Sequence, residues 1–287
     1  MNGRTRWRGM CVLLGMIAGM ILSSFAYADV LDPFDNMPMP EGSAMIGTYV
    51  FYQDLPTYED ETAGDIDIDV KVPGIIFRPL WFGPKLADKF SWGLNAVIPV
   101  LNVDAAGLES QTGLGDIAVS PFIFLVENES FNLSFWEFVY MPTGEYDENN
   151  PDTSPGLDTW QFQHQLAVGY YPSKFGIDWT LNYWNRLESD KLNIDYQDAI
   201  ETDLILHYTF ENKITFGGIG SFWWDLDELE VDGQETADTK GHRYAAGINI
   251  MYPFAENVIL SARWTTDFDV ENHTKGDWYY LRFVFLF

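Results

Sequence analysis

The 287-residue chain has a single cysteine and only 16 lysines and arginines, and beyond residue 25 it has no long apolar run. Each absence excludes a class. Cys11 lies in an N-terminal leader, so the rest of the chain can form neither disulfides nor thiolate metal sites. Against 43 acidic residues the basic ones leave a net charge of −27. That rules out a nucleic-acid binder, because phosphate contacts need a basic surface, and it argues against an anion-selective pore. No run of 18 apolar residues follows the leader, so membrane-spanning helices are excluded.

The leader itself has three parts. Arg4, Arg6 and Arg8 are followed by an apolar stretch over 10–25 and by Ala26-Tyr27-Ala28, a small-x-small cleavage pattern. The stretch is shorter than the ~20 residues a span needs, so the pattern predicts a secretory signal peptide cleaved after Ala28. Cys11 is not at the cleavage point, which excludes a lipoprotein. The leader holds three of the 16 basic residues and no acid, so the remainder carries 13 against 43, a net −30. Residues 29–41 read as an irregular segment, and a barrel is expected over 42–287.

Aromatic residues are abundant, at 16%, and they are arranged with period two. Trp160, Phe162, Leu166, Val168 and Tyr170 lie opposite Gln161, Gln163 and Gln165. Phe175, Ile177, Trp179, Leu181 and Tyr183 lie opposite Asp178, Trp184 and Arg186. The same alternation sets Leu204, Leu206 and Tyr208 against Glu201, Asp203 and His207, and Ile66, Ile68, Val70 and Val72 against Asp67, Asp69 and Lys71. Segments of roughly 10–13 residues suit tilted transmembrane strands, but a sandwich shares the period. Loop lengths discriminate. Short linkers at 127–130, 172–174, 211–213 and 253–257 interleave with long ones near 53–65, 141–159, 188–197, 227–241 and 270–276. This is the signature of an all-β, up-and-down antiparallel transmembrane β-barrel with tight periplasmic turns, here of about twelve strands.

Aromatics also sort to strand ends, as interfacial girdles do: Trp160, Tyr183, Trp224, Tyr244 and Tyr279 at one end, and Tyr170, Tyr208, Phe216, Tyr252 and Phe287 at the other. The closing strand places Tyr279, Leu281, Phe283, Phe285 and Phe287 on one face, with Arg282 on the other. It should pair with a strand near 44–52, and a final Phe287 resembles the signal read by the bacterial barrel assembly machinery. Pro73, Pro84 and Pro99 interrupt the early strands, and a phase change near Phe135 and Trp136 suggests a bulge, with Glu137 still facing inward.

The inward face carries both signs of charge. Arg243, Arg263 and Arg282 are expected to form a row facing Asp178, Glu201 and Asp203, with Arg186 nearby. Two readings stand: a channel lining with a charged constriction, or salt-bridged struts in a narrow barrel. Gln161, Gln163, Gln165, Trp184 and Trp223 suit hydrogen bonding and stacking of a small organic solute, and structural filling explains them equally well. The acidic loops are either hydrated surface or a means of bridging to lipopolysaccharide through divalent cations. A hydrolase would need a His near a Ser. No His-x-Ser pattern occurs, and a His207–Asp203 pair is weak support. No catalytic residue, metal site or cofactor is implied.

Gly113, Gly115 and Asp116, then Pro142, Thr143 and Gly144, then Pro155 and Gly156 leading into Trp160, resemble a family of outer-membrane proteins. It is the family grouped as the "meta-pathway of phenol degradation", and the closing stretch 276–283 fits it too. The resemblance implies a transporter-like barrel in the outer membrane of a Gram-negative bacterium, with no established catalytic residues. The expectation is a monomeric channel for small aromatic or hydrophobic solutes. The alternatives are a structural or adhesive barrel with a plugged lumen and, behind it, a hydrolase.

Overall fold

Period-two alternation can satisfy a membrane only if every strand edge is paired, because no water is present to take unpaired amides. The computed structural model describes residues 31–189 and 191–287; the leader and its cleavage site lie outside the described residues. Strands β1 (Ala44–Asp60), β2 (Gly64–Phe82) and β3 (Trp92–Val103) come first. Then β4 (Gln111–Leu114) and β5 (Ile117–Glu127) act as one strand broken at Gly115 and Asp116. β3 pairs with β4 over 100–103 and with β5 over 92–97. Next are β6 (Phe131–Met141), β7 (Gln161–Tyr170) and β8 (Phe175–Arg186). They are followed by β9 (Ile194–Asp195), β10 (Ala199–Thr209) and β11 (Thr215–Asp225). The chain ends with β12 (Leu229–Val231), β13 (Gln234–Thr236), β14 (His242–Ala255), β15 (Val258–Glu271) and β16 (His273–Leu286).

Counting β4 and β5 once and leaving out β9, β12 and β13, twelve antiparallel strands close into a barrel. β16 pairs with β1 from Met45–Leu286 up to Glu59–His273. Phe287 and Ala44 exchange backbone hydrogen bonds at 2.8 and 3.2 Å, which seals the short-turn end. The outer face is apolar along its whole height, with Val50, Phe77, Leu206, Ile248, Leu281 and Phe283 exposed. The girdle residues Trp160, Tyr183 and Tyr279 at one end, and Tyr170, Tyr252 and Phe287 at the other, are exposed on this face as well.

Two expected loops are strand instead. β1 and β2 have 17 and 19 residues, well beyond the ~9–11 a tilted span needs, so 53–65 is a hairpin that rises above the barrel. The stretch 270–276 is likewise a tight reversal between β15 and β16. The small sheet β13-β12-β9 stands beside the raised hairpin. Tyr58, Ile194, Tyr196 and Leu229 form a second apolar cluster there, with Ile66 and Ile68 packed against it. That corrects the facing of Asp67 and Asp69: they are exposed while Val70 and Val72 are fully buried. β2 and β3 also run straight through Pro73 and Pro99.

The suspected bulge lies one strand away. β6 pairs with β7 in unbroken register, whereas the β5–β6 register slips between Phe124 and Val126. β6 therefore keeps one phase. Asn132, Ser134, Trp136, Phe138 and Tyr140 are buried inside, and Glu137 faces outward. The expectation failed because hydrophobicity was taken to mark the outer face, and here the inner face is aromatic.

Candidate functional site

The lumen has two unlike walls. On β1–β6 the inward residues are mostly apolar: Tyr49, Phe51, Leu80, Phe82, Phe122 and Trp136 belong to one buried cluster. Aromatic rings line up within it. Phe82 lies 5.0 Å from Phe122, and Phe122 stacks on Trp136 at 4.0 Å between centroids. Trp136, Phe138 and Tyr140 then follow at 6.2 Å intervals up β6, nearly coplanar. Tyr140 meets Trp184 at 5.6 Å, and Trp184 meets Trp223 at 5.8 Å. Residues two apart on one strand share a face, so this spacing needs no special backbone. The result is a continuous ladder from the short-turn end to the long-loop end.

The other wall, β7–β16, is the more polar one, and most of its inward side chains make contacts. Gln161, Gln163 and Gln165 are buried inward in a row, and the Tyr140 hydroxyl donates to Gln163 at 2.9 Å, joining the walls. The Trp184 indole donates to Glu201 at 3.0 Å, and the Trp223 indole donates to Asp225 at 2.8 Å. Asp203 is buried beside Thr180 at 3.4 Å. Arginines lie over rings: Arg186 over Trp223 at 5.1 Å, Arg243 over Trp278 at 4.6 Å, Arg263 over Tyr280 at 5.8 Å and Arg282 over Tyr49 at 5.2 Å. The weakly hydrated guanidinium plane suits such stacking.

All twelve sequence-selected lumen residues face inward, and Arg243 and Arg263 lie within electrostatic reach of Asp203. Arg282 instead turns to residues 31–41. This segment enters the lumen at the short-turn end and docks on the polar wall. Arg282 donates to Asp32 and Asp35, both at 2.8 Å. Asp32 also accepts from Ser261 at 3.0 Å and from Asn249, and Arg263 donates to the Leu31 carbonyl at 3.2 Å. Asp178 accepts the backbone amides of Phe34 at 2.8 Å and Asn36 at 3.2 Å, together with the Tyr171 hydroxyl. The Asn36 side chain donates to the Val168 carbonyl at 3.0 Å. His207 pairs with Asp178 at 3.2 Å rather than with Asp203, its ring edge-on to Phe34 at 4.5 Å. Burial pushes the Asp35 carboxyl up to about 6, against the pull of Arg282.

Sequence reasoning missed Asp32, Asp35, Asn36 and Tyr171. The available signal was an acid-rich, proline-rich stretch just before a barrel whose interior carries several arginines.

At the long-loop end the glycine motif forms a knot. The Asp116 carboxylate accepts the Gly144 amide at 2.9 Å and the Leu157 amide at 2.8 Å. A Cβ on Gly144 would come within 2.6 Å of the Gly156 Cα, so the two turns can cross only as glycines. Burial pushes the Asp116 carboxyl up to about 6, partly offset by these amides. The knot ties the 142–159 loop over the mouth and places Leu157 in the apolar cluster. The acids of the long loops act locally: Asp60 accepts the Thr62 and Ala63 amides, and Glu228 accepts those of Thr239 and Lys240. Among the described residues no three His, Cys, Asp or Glu converge to hold a metal ion.

One pair lies outside the lumen. Glu137 and His164 meet at 2.6 Å on the outer face, between the Trp160 and Tyr170 girdles, and the His164 ring stacks on Tyr183 at 5.8 Å.

A family model described as "Putative MetA-pathway of phenol degradation" matches residues 54–283. Among solved structures the chain is similar to the COG4313 outer membrane channel from Pseudomonas putida F1. The TM-score is 0.82 at 19% identity, with 90% of this chain and all of that one covered. A deltaS2 mutant of the TodX monoaromatic hydrocarbon channel aligns with TM-score 0.48 at 8% identity, over 90% of this chain and 92% of that one. The NanC porin aligns with TM-score 0.49 at 8% identity, over 84% and 98%. No curated protein matches.

Proposed function

From the chain's membership of the family described by phenol degradation through the meta pathway, we propose an outer-membrane channel for small aromatic or hydrophobic solutes. The observation that carries the proposal is the ladder of rings from Trp223 to Phe82 inside the lumen. An uncharged ring can exchange one stacked or edge contact for the next along it, each worth about 0.5–1.5 kcal/mol, so transit is downhill and shallow. Polar solutes find few partners along the rings. The barrel fold shared with the Pseudomonas putida channel supports an outer-membrane location. The short turns then face the periplasm, and a leader cleaved after Ala28 would provide export.

Hydrophobic solutes cross plain lipid unaided, so liposome flux is a poor test. Whole cells with an intact lipopolysaccharide leaflet are a better one. Expression should raise initial uptake of labelled toluene severalfold, and uptake equal to that of cells lacking the protein would sink the proposal.

A second reading, a plugged structural barrel, is favoured by the seating of residues 31–41 on the polar wall. Planar bilayers separate the two: deleting 31–41 should raise conductance if the segment only blocks part of a path. No conductance with or without it would favour the structural barrel.

A further inference from the structure

The seated segment is hydrogen-bonded to the polar wall and reaches the apolar cluster through Met39. Between them lies a cavity of about 210 Å³. Four methionines line it, Met37 and Met39 from the segment and Met45 and Met251 from the barrel, together with Phe82 and Trp136. We propose that this cavity is a binding site for an uncharged single-ring hydrocarbon, the last stop of a solute before the periplasm. The assignment rests on the channel reading above and names a site for it.

Four features of the cavity agree. It is larger than the roughly 150 Å³ of dry apolar space that holds a benzene molecule, so a ring with a short substituent fits. Its walls are chemically right, because thioethers are polarizable and flexible, make favourable contacts with ring edges and adapt to ligands of different outline. Charge is excluded. The cation that lines it, Arg282, is paired with both Asp32 and Asp35, so an anionic solute meets two carboxylates beside it. Access is continuous, since Phe82 and Trp136 are also rungs of the ladder. A ring descending it meets ring faces throughout, with Arg186 beside Trp223 and Arg78 beside Phe138.

The site has a further property. Part of its wall belongs to residues 33–39, so it exists only while the segment is seated. A bound ring therefore stabilises the seated state by mass action, and the solute holds in place the segment it must pass.

The experiment uses the full-length protein in lipid nanodiscs, labelled with [13C-methyl]methionine and titrated with toluene. Ring currents should move the Met37, Met39, Met45 and Met251 methyl signals, assigned by single Met→Leu variants, in a saturable way. Met141, at the opposite end of β6, should stay put. Met45→Trp, or Met251→Phe if that variant does not assemble, fills the cavity and should abolish the shifts. Shifts that are non-saturable, uniform across all methionines, or unchanged in the filled variants would overturn the site. Whole-cell uptake of toluene reports on the channel reading separately. Uptake without selective shifts removes the site and keeps the channel, whereas selective shifts without uptake keep the site and remove the channel.

Discussion

The two halves of the lumen are built from strands of the same alternation, yet they do opposite work. The wall of β7–β16 points amides, carboxylates and guanidinium groups inward and uses them to hold residues 31–41. The wall of β1–β6 points mostly rings and aliphatic chains inward, with Arg78 and Asn95 the main polar exceptions. A segment that must be both anchored and passed by an apolar solute needs this division. Polar anchors give direction and strength, while an apolar opposite face leaves a gap in which water gains little and a ring gains much.

The sharpest way to break the contrast is to disarm the polar wall at Asp178. Each hydrogen bond from a backbone amide to a carboxylate contributes about 1.5–3 kcal/mol. Asp178→Ala loses two from the segment, so the ratio of seated to released segment should fall by on the order of a hundredfold. Planar bilayers should show frequent large openings where the parent protein shows few. Unchanged traces would mean that the anchor lies elsewhere.

The next largest effect is expected on the apolar wall. Trp136→Ala removes the rung between Phe122 and Phe138 and should cut toluene uptake severalfold, at about 1 kcal/mol for each lost ring contact. Gln163→Ala, on the neighbouring strand β7, should leave uptake within about twofold, since an amide side chain offers an uncharged ring little. Equal losses in the two variants would erase the distinction between the walls.

Much of this division was hidden from the sequence, and the reason is physical. Reading inside from outside relies on one face being polar. On β7, β8, β10, β14 and β15 the inner face carries Gln163, Asp178, Glu201, Asn249 and Arg263, so each facing was correct from alternation alone. On β6 both faces are apolar. Trp136 and Phe138 then look as lipid-facing as Phe135 does, and Glu137 looks inward by contrast. The extended hairpin of β1 and β2 misleads in another way, because above the membrane the rule inverts and Asp67 and Asp69 face water on the outside. Charge pairing was legible only as a set of unmatched groups. Arg282 was rightly placed inside, but its partners Asp32 and Asp35 lie about 250 residues away in a segment with no periodicity to orient it.

A smaller perturbation tests the seam between the walls. The Tyr140 hydroxyl donates to Gln163 across the β6–β7 boundary. Tyr140→Phe should lower the thermal midpoint of the folded barrel in detergent by an amount matching about 1 kcal/mol, while toluene uptake stays at the parent level.

The smallest effect is a pH dependence of the segment. Asp35 sits near 6 when seated, raised by burial against Arg282, with Asp32 adding to the rise and Arg78 opposing it. When the segment is released the carboxyl returns to its ordinary value near 4. The seated form therefore keeps a proton that the released form gives up between about pH 4 and 6, so seating is strongest below that window and weakens as pH rises through it. A spin label at Met37→Cys should become more mobile between pH 5 and 7.5, and equal mobility at both would show that Asp35 does not change its charge on release.

The Glu137–His164 contact on the outer wall carries a consequence for descent rather than for mechanism. A lone polar side chain facing hydrocarbon is costly because it finds no partner there, and each residue supplies that partner for the other. Neither residue can drift alone without exposing the one left behind. The two positions, 27 apart in the chain and adjacent across β6 and β7, should change together, so related barrels should keep both or neither.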